Sequence, residues 1–327
     1  MKKLLSLIGL LALSVALFVV VFSVVHRPLV IGSIERGLAA KLAYARSLPP
    51  GPKLVVFAGS NGRYSHRCAA LREALGRPCV NASMSVGLDL EFLLAQWLPL
   101  LHAGDLVYMP LEYSQYRLPR SEMQGGQQNA FLVHDHPDQL WAMPPQRIAA
   151  AYGSFDLSFL VNGLAEMALD ARGVRRRDNG EHDTPEGDIA GHDATKAHAY
   201  AEFVRQMAPE TSQIPPHSDA IEVVRAFLRQ SREAGVSVVG GLPTLPESTV
   251  LRDADLAQLR QLYEGEGQRF IELPNHSRYP FECFYDTVYH LNEACQWRHS
   301  AALGAALQPL WPAACPSAIR IDTTLVP

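Results

Sequence analysis

The chain has no basic excess: 29 Lys and Arg stand against 33 Asp and Glu, and the net charge of −4 becomes more negative once Lys2 and Lys3 are set aside. Nucleic-acid binders need clustered positive charge to neutralise phosphates, so that class of partner is excluded. Cysteine is scarce, five in 327 residues, and no pair has C-x-x-C spacing, which leaves no structural zinc motif. No fixed-period repeat is present, and no metal or cofactor is expected. What remains is a globular composition, 48% hydrophobic and 19% charged, in a chain long enough to bury a core without disulfide staples.

The N-terminus carries the one long apolar run. Lys2-Lys3 precedes uncharged residues 4–25, closed by His26 and Arg27. As a helix this run is about 33 Å long, enough to cross a ~30 Å hydrocarbon core. A cleavable signal has a shorter apolar stretch and a small-residue cleavage site, and Ser23-Val24-Val25-His26 offers no clean one. An uncleaved anchor is therefore expected over 1–27, contacting membrane lipid, with a linker over 28–52. The lysines before the span favour a cytoplasmic N-terminus and an extracytoplasmic, periplasmic-side domain. In an oxidising compartment one or two cysteine pairs would form among Cys68, Cys79, Cys283, Cys295 and Cys315, leaving an odd thiol.

Beyond the linker, strand and helix signals alternate. Apolar runs at 53–58, 79–82, 105–109, 236–239 and 269–273 read as buried strands. Helical spacing covers 63–75, 88–102, 219–234, 253–263 and 291–310. This order predicts an α/β domain over 53–312, a doubly wound, mostly parallel sheet of about five strands, followed by a tail over 313–327. Residues 114–218 interrupt it as an insertion. Within that, 145–172 has helical spacing and 173–192, with Arg175-Arg176-Arg177 and Asp178-Asn179-Gly180, reads as a mobile polar loop.

Chemistry in such a sheet belongs at the carboxyl ends of its strands. The first strand runs into Phe57-Ala58-Gly59-Ser60-Asn61-Gly62. A serine there, between a buried strand and a helix, presents its hydroxyl and its own N–H to one pocket, though the same residues also make a common turn. Far downstream, Asp286 and His290 lie four apart in Asp286-Thr287-Val288-Tyr289-His290-Leu291-Asn292. An aspartate can take the imidazole Nδ1 proton and leave Nε2 to deprotonate a serine; a helix start with an incidental histidine is the plainer reading.

The strand-Ala58-Gly59-Ser60-Asn61 start, the Asn81-Ala82-Ser83-Met84-Ser85-Val86-Gly87 segment and the Asp286/His290 ending together resemble the SGNH (GDSL-like) hydrolase superfamily. The resemblance implies a flavodoxin-like three-layer sandwich. It also implies Ser60 as nucleophile, Gly87 as an oxyanion-binding N–H, and Asp286 and His290 as the orienting acid and general base. The third family block, Gly-x-Asn-Asp, is missing: after the third strand the chain reads Met109-Pro110-Leu111-Glu112-Tyr113. Asn61 or Asn81 would then have to replace the lost amide, and the Asp-to-His spacing is four instead of three. Glu112 is a candidate pocket carboxylate, with capping or packing as its other role. The Gly-Ser-Asn start and Tyr-His-Leu-Asn ending are similar to divergent membrane-anchored proteins of polysaccharide and cell-wall O-acyl transfer. That implies an acylated glycan or acyl donor as substrate and a membrane acyltransferase as partner. An inert envelope scaffold and a lipid esterase with an apolar lid are the other readings.

Weaker signals read as structure. His134-Asp135-His136 and His182, Asp183, His192 and Asp193 are metal-ligand types in polar loops and read as solvated surface. Tyr108, Tyr113 and Tyr116 read as packing residues, with sugar stacking as the functional alternative. His66 is a minor rival base to His290.

Overall fold

The computed structural model describes residues 2–174, 180–207 and 211–311. Arg175, Arg176, Arg177, Asp178, Cys315 and the 313–327 tail lie outside the described residues. Short runs rich in leucine and β-branched residues make the central sheet: β1 (Leu54–Val56), β2 (Cys79–Asn81), β3 (Leu106–Met109), β4 (Ser237–Gly240) and β5 (Arg269–Phe270). All pair in parallel, in the order β2-β1-β3-β4-β5. The last strand is shorter than its apolar run, because only two residues pair with β4.

Alternation along each strand feeds two separate apolar layers. Val55, Val80, Val107 and Val238 enter one, with Leu54, Val56, Leu106 and Val239 in the other. Helices Leu90–Trp97 and Asp219–Glu233 cover the first through Leu93 and Phe227. Helices Cys68–Leu75 and Glu293–Leu307 cover the second through Leu71, Leu303 and Leu307. The result is a three-layer, doubly wound α/β sandwich. Its strand order turns back at β1, so the crevice beyond the carboxyl ends of β1 and β3 is where this architecture binds ligands.

An N-terminal helix, α1 (Lys2–Val24), is long and apolar enough to cross a membrane. The expected linker is largely a helix, α2 (Ile31–Ser47), whose Leu38, Leu42 and Ala45 pack into the first apolar layer. Its arginines and Lys41 mask that stripe in the composition. Lys41 itself is buried, and its ammonium donates to the carbonyls of Asn81, at 2.9 Å, and Gly187.

The insertion is helical from Tyr113 to Ala171, ending in a helix pair, Pro145–Gly153 and Leu157–Ala171, bent by 73°. The segment expected as a mobile loop contains instead a two-stranded hairpin, His182–Asp183 against Ile189–Ala190. It is fastened by Asp188, which accepts from the Cys68 N–H at 3.2 Å and pairs with Arg67 at 3.2 Å. Two disulfides are formed: Cys68–Cys79 ties the helix Cys68–Leu75 to the start of β2, and Cys283–Cys295 ties the 281–292 loop to the helix Glu293–Leu307.

Candidate active site

Ser60 opens a short helix, α3 (Ser60–Ser65), four residues beyond the end of β1. The turn is so tight that only glycine fits before it: a Cβ on Gly59 would stand 2.4 Å from Val86 Cγ1 and 2.6 Å from Glu112 Oε1. As the first residue of α3, Ser60 also leaves its backbone N–H without a hydrogen bond among the described residues.

Asp286 and His290 come from the loop between Phe281 and Asn292. Its ends are joined by Cys283–Cys295 and by the Asn292 N–H donating to the Cys283 carbonyl at 2.6 Å. The loop delivers the imidazole to the serine. The Ser60 hydroxyl donates to His290 Nε2 at 2.8 Å, and His290 Nδ1 donates to Asp286 Oδ1 at 2.6 Å. A carboxylate can only accept, so the proton sits on Nδ1 and Nε2 is the free base. The Tyr64 ring stacks flat on the imidazole, centroids 4.0 Å apart at 10°. Glu181 of the insertion then links two tyrosines, accepting from Tyr64 Oη at 2.8 Å and from Tyr285 Oη. Tyr64 and Tyr285 both have phenol pKa values raised above the ordinary range, by burial first and then by the Glu181 carboxylate. They stay neutral donors.

The other four expected site residues are not arranged as free donors. The Asn61 side-chain amide donates to the Pro110 carbonyl at 3.1 Å. The Asn81 amide donates to the carbonyls of Gly62 at 2.7 Å and His66 at 3.2 Å, holding α3 against β2. Buried amides bond backbone carbonyls in this way as a rule, and Asn81 spends both of its amide hydrogens so, Asn61 one. Gly87 is exposed and its N–H donates to Ser85 Oγ at 3.3 Å. Glu112 caps the helix Tyr113–Arg117 and accepts from the Asn61 N–H at 3.1 Å. The same oxygen lies 3.4 Å from Ser60 Oγ, within reach of the hydroxyl but farther than His290.

His66 is no rival base. It is fully buried against His299, with Nε2 atoms 3.2 Å apart, and burial pulls its pKa down to about 4. His192 is likewise buried, its pKa lowered to about 4 chiefly by desolvation, and His134 and His136 are half-buried; these three are not solvated surface. Tyr108, Tyr113 and Tyr116 are core residues, too deep to stack on a ligand. No group of three or more His, Cys, Asp or Glu able to hold a metal ion occurs among the described residues.

A cleft of about 1220 Å³ adjoins the site through Arg63, Tyr64 and Asp286. α2 supplies one wall with Arg36 and Lys41, and the insertion supplies another with Glu181 and Asp183. Neither Tyr64 nor Glu181 stands out in the sequence. Tyr64 stands one turn after Ser60 on the same helix, the only local clue to its stacking role.

No protein-family model matches the chain, and no curated protein does. Among solved structures, the crystal structure of the Bacillus subtilis protein YxiM is similar at a TM-score of 0.40 and 11% identity, over 81% of this chain. The chain spans 58% of that protein's length.

Proposed function

We propose that the protein is a membrane-anchored serine enzyme of the SGNH type that cleaves or transfers acyl esters, with its domain on the extracytoplasmic side. The observation that carries this reading is the Ser60–His290–Asp286 relay, 2.8 Å and 2.6 Å long, closed across 230 positions of sequence at the sheet's switch point. Ser60 Oγ attacks the acyl carbonyl while its proton passes to His290 Nε2. Asp286 steadies the imidazolium, and the same proton then leaves with the alcohol. Water or a sugar hydroxyl next gives its own proton to His290 and attacks the acyl-serine, which frees the acid or the new ester and restores the Ser60 hydroxyl. The Ser60 N–H serves the oxyanion.

A glycan suits the adjoining cleft, whose walls carry carboxylates, arginines and the rings of Tyr64 and Tyr200. The two disulfides fit an oxidising compartment, and with it an envelope substrate supplied by a membrane acyl donor or acyltransferase.

One observation favours a second reading, an inert scaffold on the same fold. The Glu112 carboxylate lies 3.4 Å from Ser60 Oγ, in the block where the family pattern has an amide donor, and its charge opposes a developing oxyanion. A fluorophosphonate probe on the full chain separates the two. Rapid labelling that Ser60→Ala abolishes is the expected result; a folded wild-type protein that does not label establishes the scaffold.

A further inference from the structure

The last turn of α1 is bound sideways to the insertion. Phe22 stacks on Phe155 with parallel rings 5.0 Å apart and touches Phe159, and Ser23 Oγ shares a 2.8 Å hydrogen bond with Tyr152 Oη. Gly163 lets the helix Leu157–Ala171 close on the chain leaving α1: a Cβ there would stand 2.7 Å from Val25 Cγ1 and 3.0 Å from the His26 carbonyl. Arg27 donates to Glu166 at 2.7 Å just beyond. If α1 crosses a bilayer, its roughly 35 Å length puts these contacts at the level where the chain leaves the hydrocarbon.

The same insertion helix has a second apolar face that no described residue covers. Leu157, Val161 and Leu164 recur at i, i+4 and i+7 and are 73%, 57% and 52% exposed. Ser158 and Asn162 run along one side of this stripe, and the face against α1 runs along the other. Trp141, also exposed, sits 6.2 Å from the Tyr152 ring that reaches α1. A large apolar stripe on a soluble surface marks a contact site, and here it is continuous with the end of the membrane-spanning helix. An amphipathic helix at that depth with a tryptophan beside it has the chemistry of an interfacial membrane contact.

We propose that the bent helix pair Pro145–Gly153 and Leu157–Ala171 is a second membrane-binding element, seated in the lipid interface beside α1 with Leu157, Val161 and Leu164 turned into the acyl-chain boundary. It does not depend on any chemistry at Ser60.

The test uses the full chain in phosphatidylcholine nanodiscs, in a Cys315→Ser background, with a nitroxide at Val161→Cys, Leu164→Cys, Asn162→Cys or, as an aqueous control, Val250→Cys, which replaces a residue 74% exposed. All four positions are exposed, so the substitutions leave the core intact. Collisional relaxation by oxygen relative to an aqueous nickel chelate is expected to be several-fold higher at 161 and 164 than at 250, with 162 closer to 250. Labels at 161 and 164 that match 250 overturn the proposal. So do labels shielded from both reagents whose spin–spin broadening disappears on dilution with unlabelled chain, because the occupant is then a second copy.

Discussion

The two sides of the Ser60–His290 crevice are built by different means. The Ser60 side is made by the sheet: β1 is buried along its whole length, and α3 is clamped to β2 by Asn81 and, through the Asn61 N–H, to Glu112 just beyond β3. The His290 side is a loop with one 3-10 turn, Phe281–Cys283, and a single bridge, Phe284 to Leu291, held by Cys283–Cys295, the Tyr64 ring and the Tyr64–Glu181–Tyr285 bridge from the insertion. The serine is placed by the fold alone. The histidine has to be placed by cross-links.

That contrast is open to direct attack. The largest expected effect comes from comparing the two disulfides, which close loops of similar length, 11 and 12 residues apart in sequence. Replacing either pair by serine should cost a similar stability, ~3 kcal/mol by denaturant titration. Only Cys283→Ser/Cys295→Ser should also slow fluorophosphonate labelling of Ser60 sharply, because that loop carries the base; equal slowing by both pairs dissolves the distinction. Next, Gly59→Ala pushes a methyl group into Val86 and Glu112 and should cost about 1–3 kcal/mol, as overpacking does. A variant with unchanged unfolding midpoint would mean that the Ser60 turn is looser than described. Acid stability gives the third test. His66 and His192 are held neutral by burial, with pKa values of about 4 against an unperturbed 6.5. Their contribution is complete above pH 6.5 and is lost as pH falls toward 4, since the unfolded chain takes up those protons first. Urea midpoints that fall from pH 7 to pH 5 bear this out; flat midpoints refute it.

The same contrast explains which parts of the fold are legible in the sequence. β1 and Ser60 are legible because a buried strand, a glycine and a serine are adjacent, and the sheet follows from five apolar runs spaced by helices. The meeting of His290 with Ser60 is not written locally. Residue types and the SGNH resemblance named the partners, but a loop closed by a disulfide brought them together. The partners of Asn61 and Asn81 are not legible either, because an amide's identity does not tell which way it donates. The stretch 28–52 looked like a linker because the polar residues of α2 outnumber the Leu38, Leu42 and Ala45 stripe. Polarity misled again over 180–192, where Glu181 and Asp188 are tied into place by tyrosines and Arg67.

The short stretch between α1 and α2 gives the domain almost no slack. Only residues 25–30 separate the two helices, and α2 is itself part of the core. A bilayer around α1 would therefore fix the height of Ser60 above the lipid, as a bracket holds a shelf. Under the proposed function, acyl groups carried by polymers far from the surface would be out of reach, and any chain to be modified would have to pass close to the membrane.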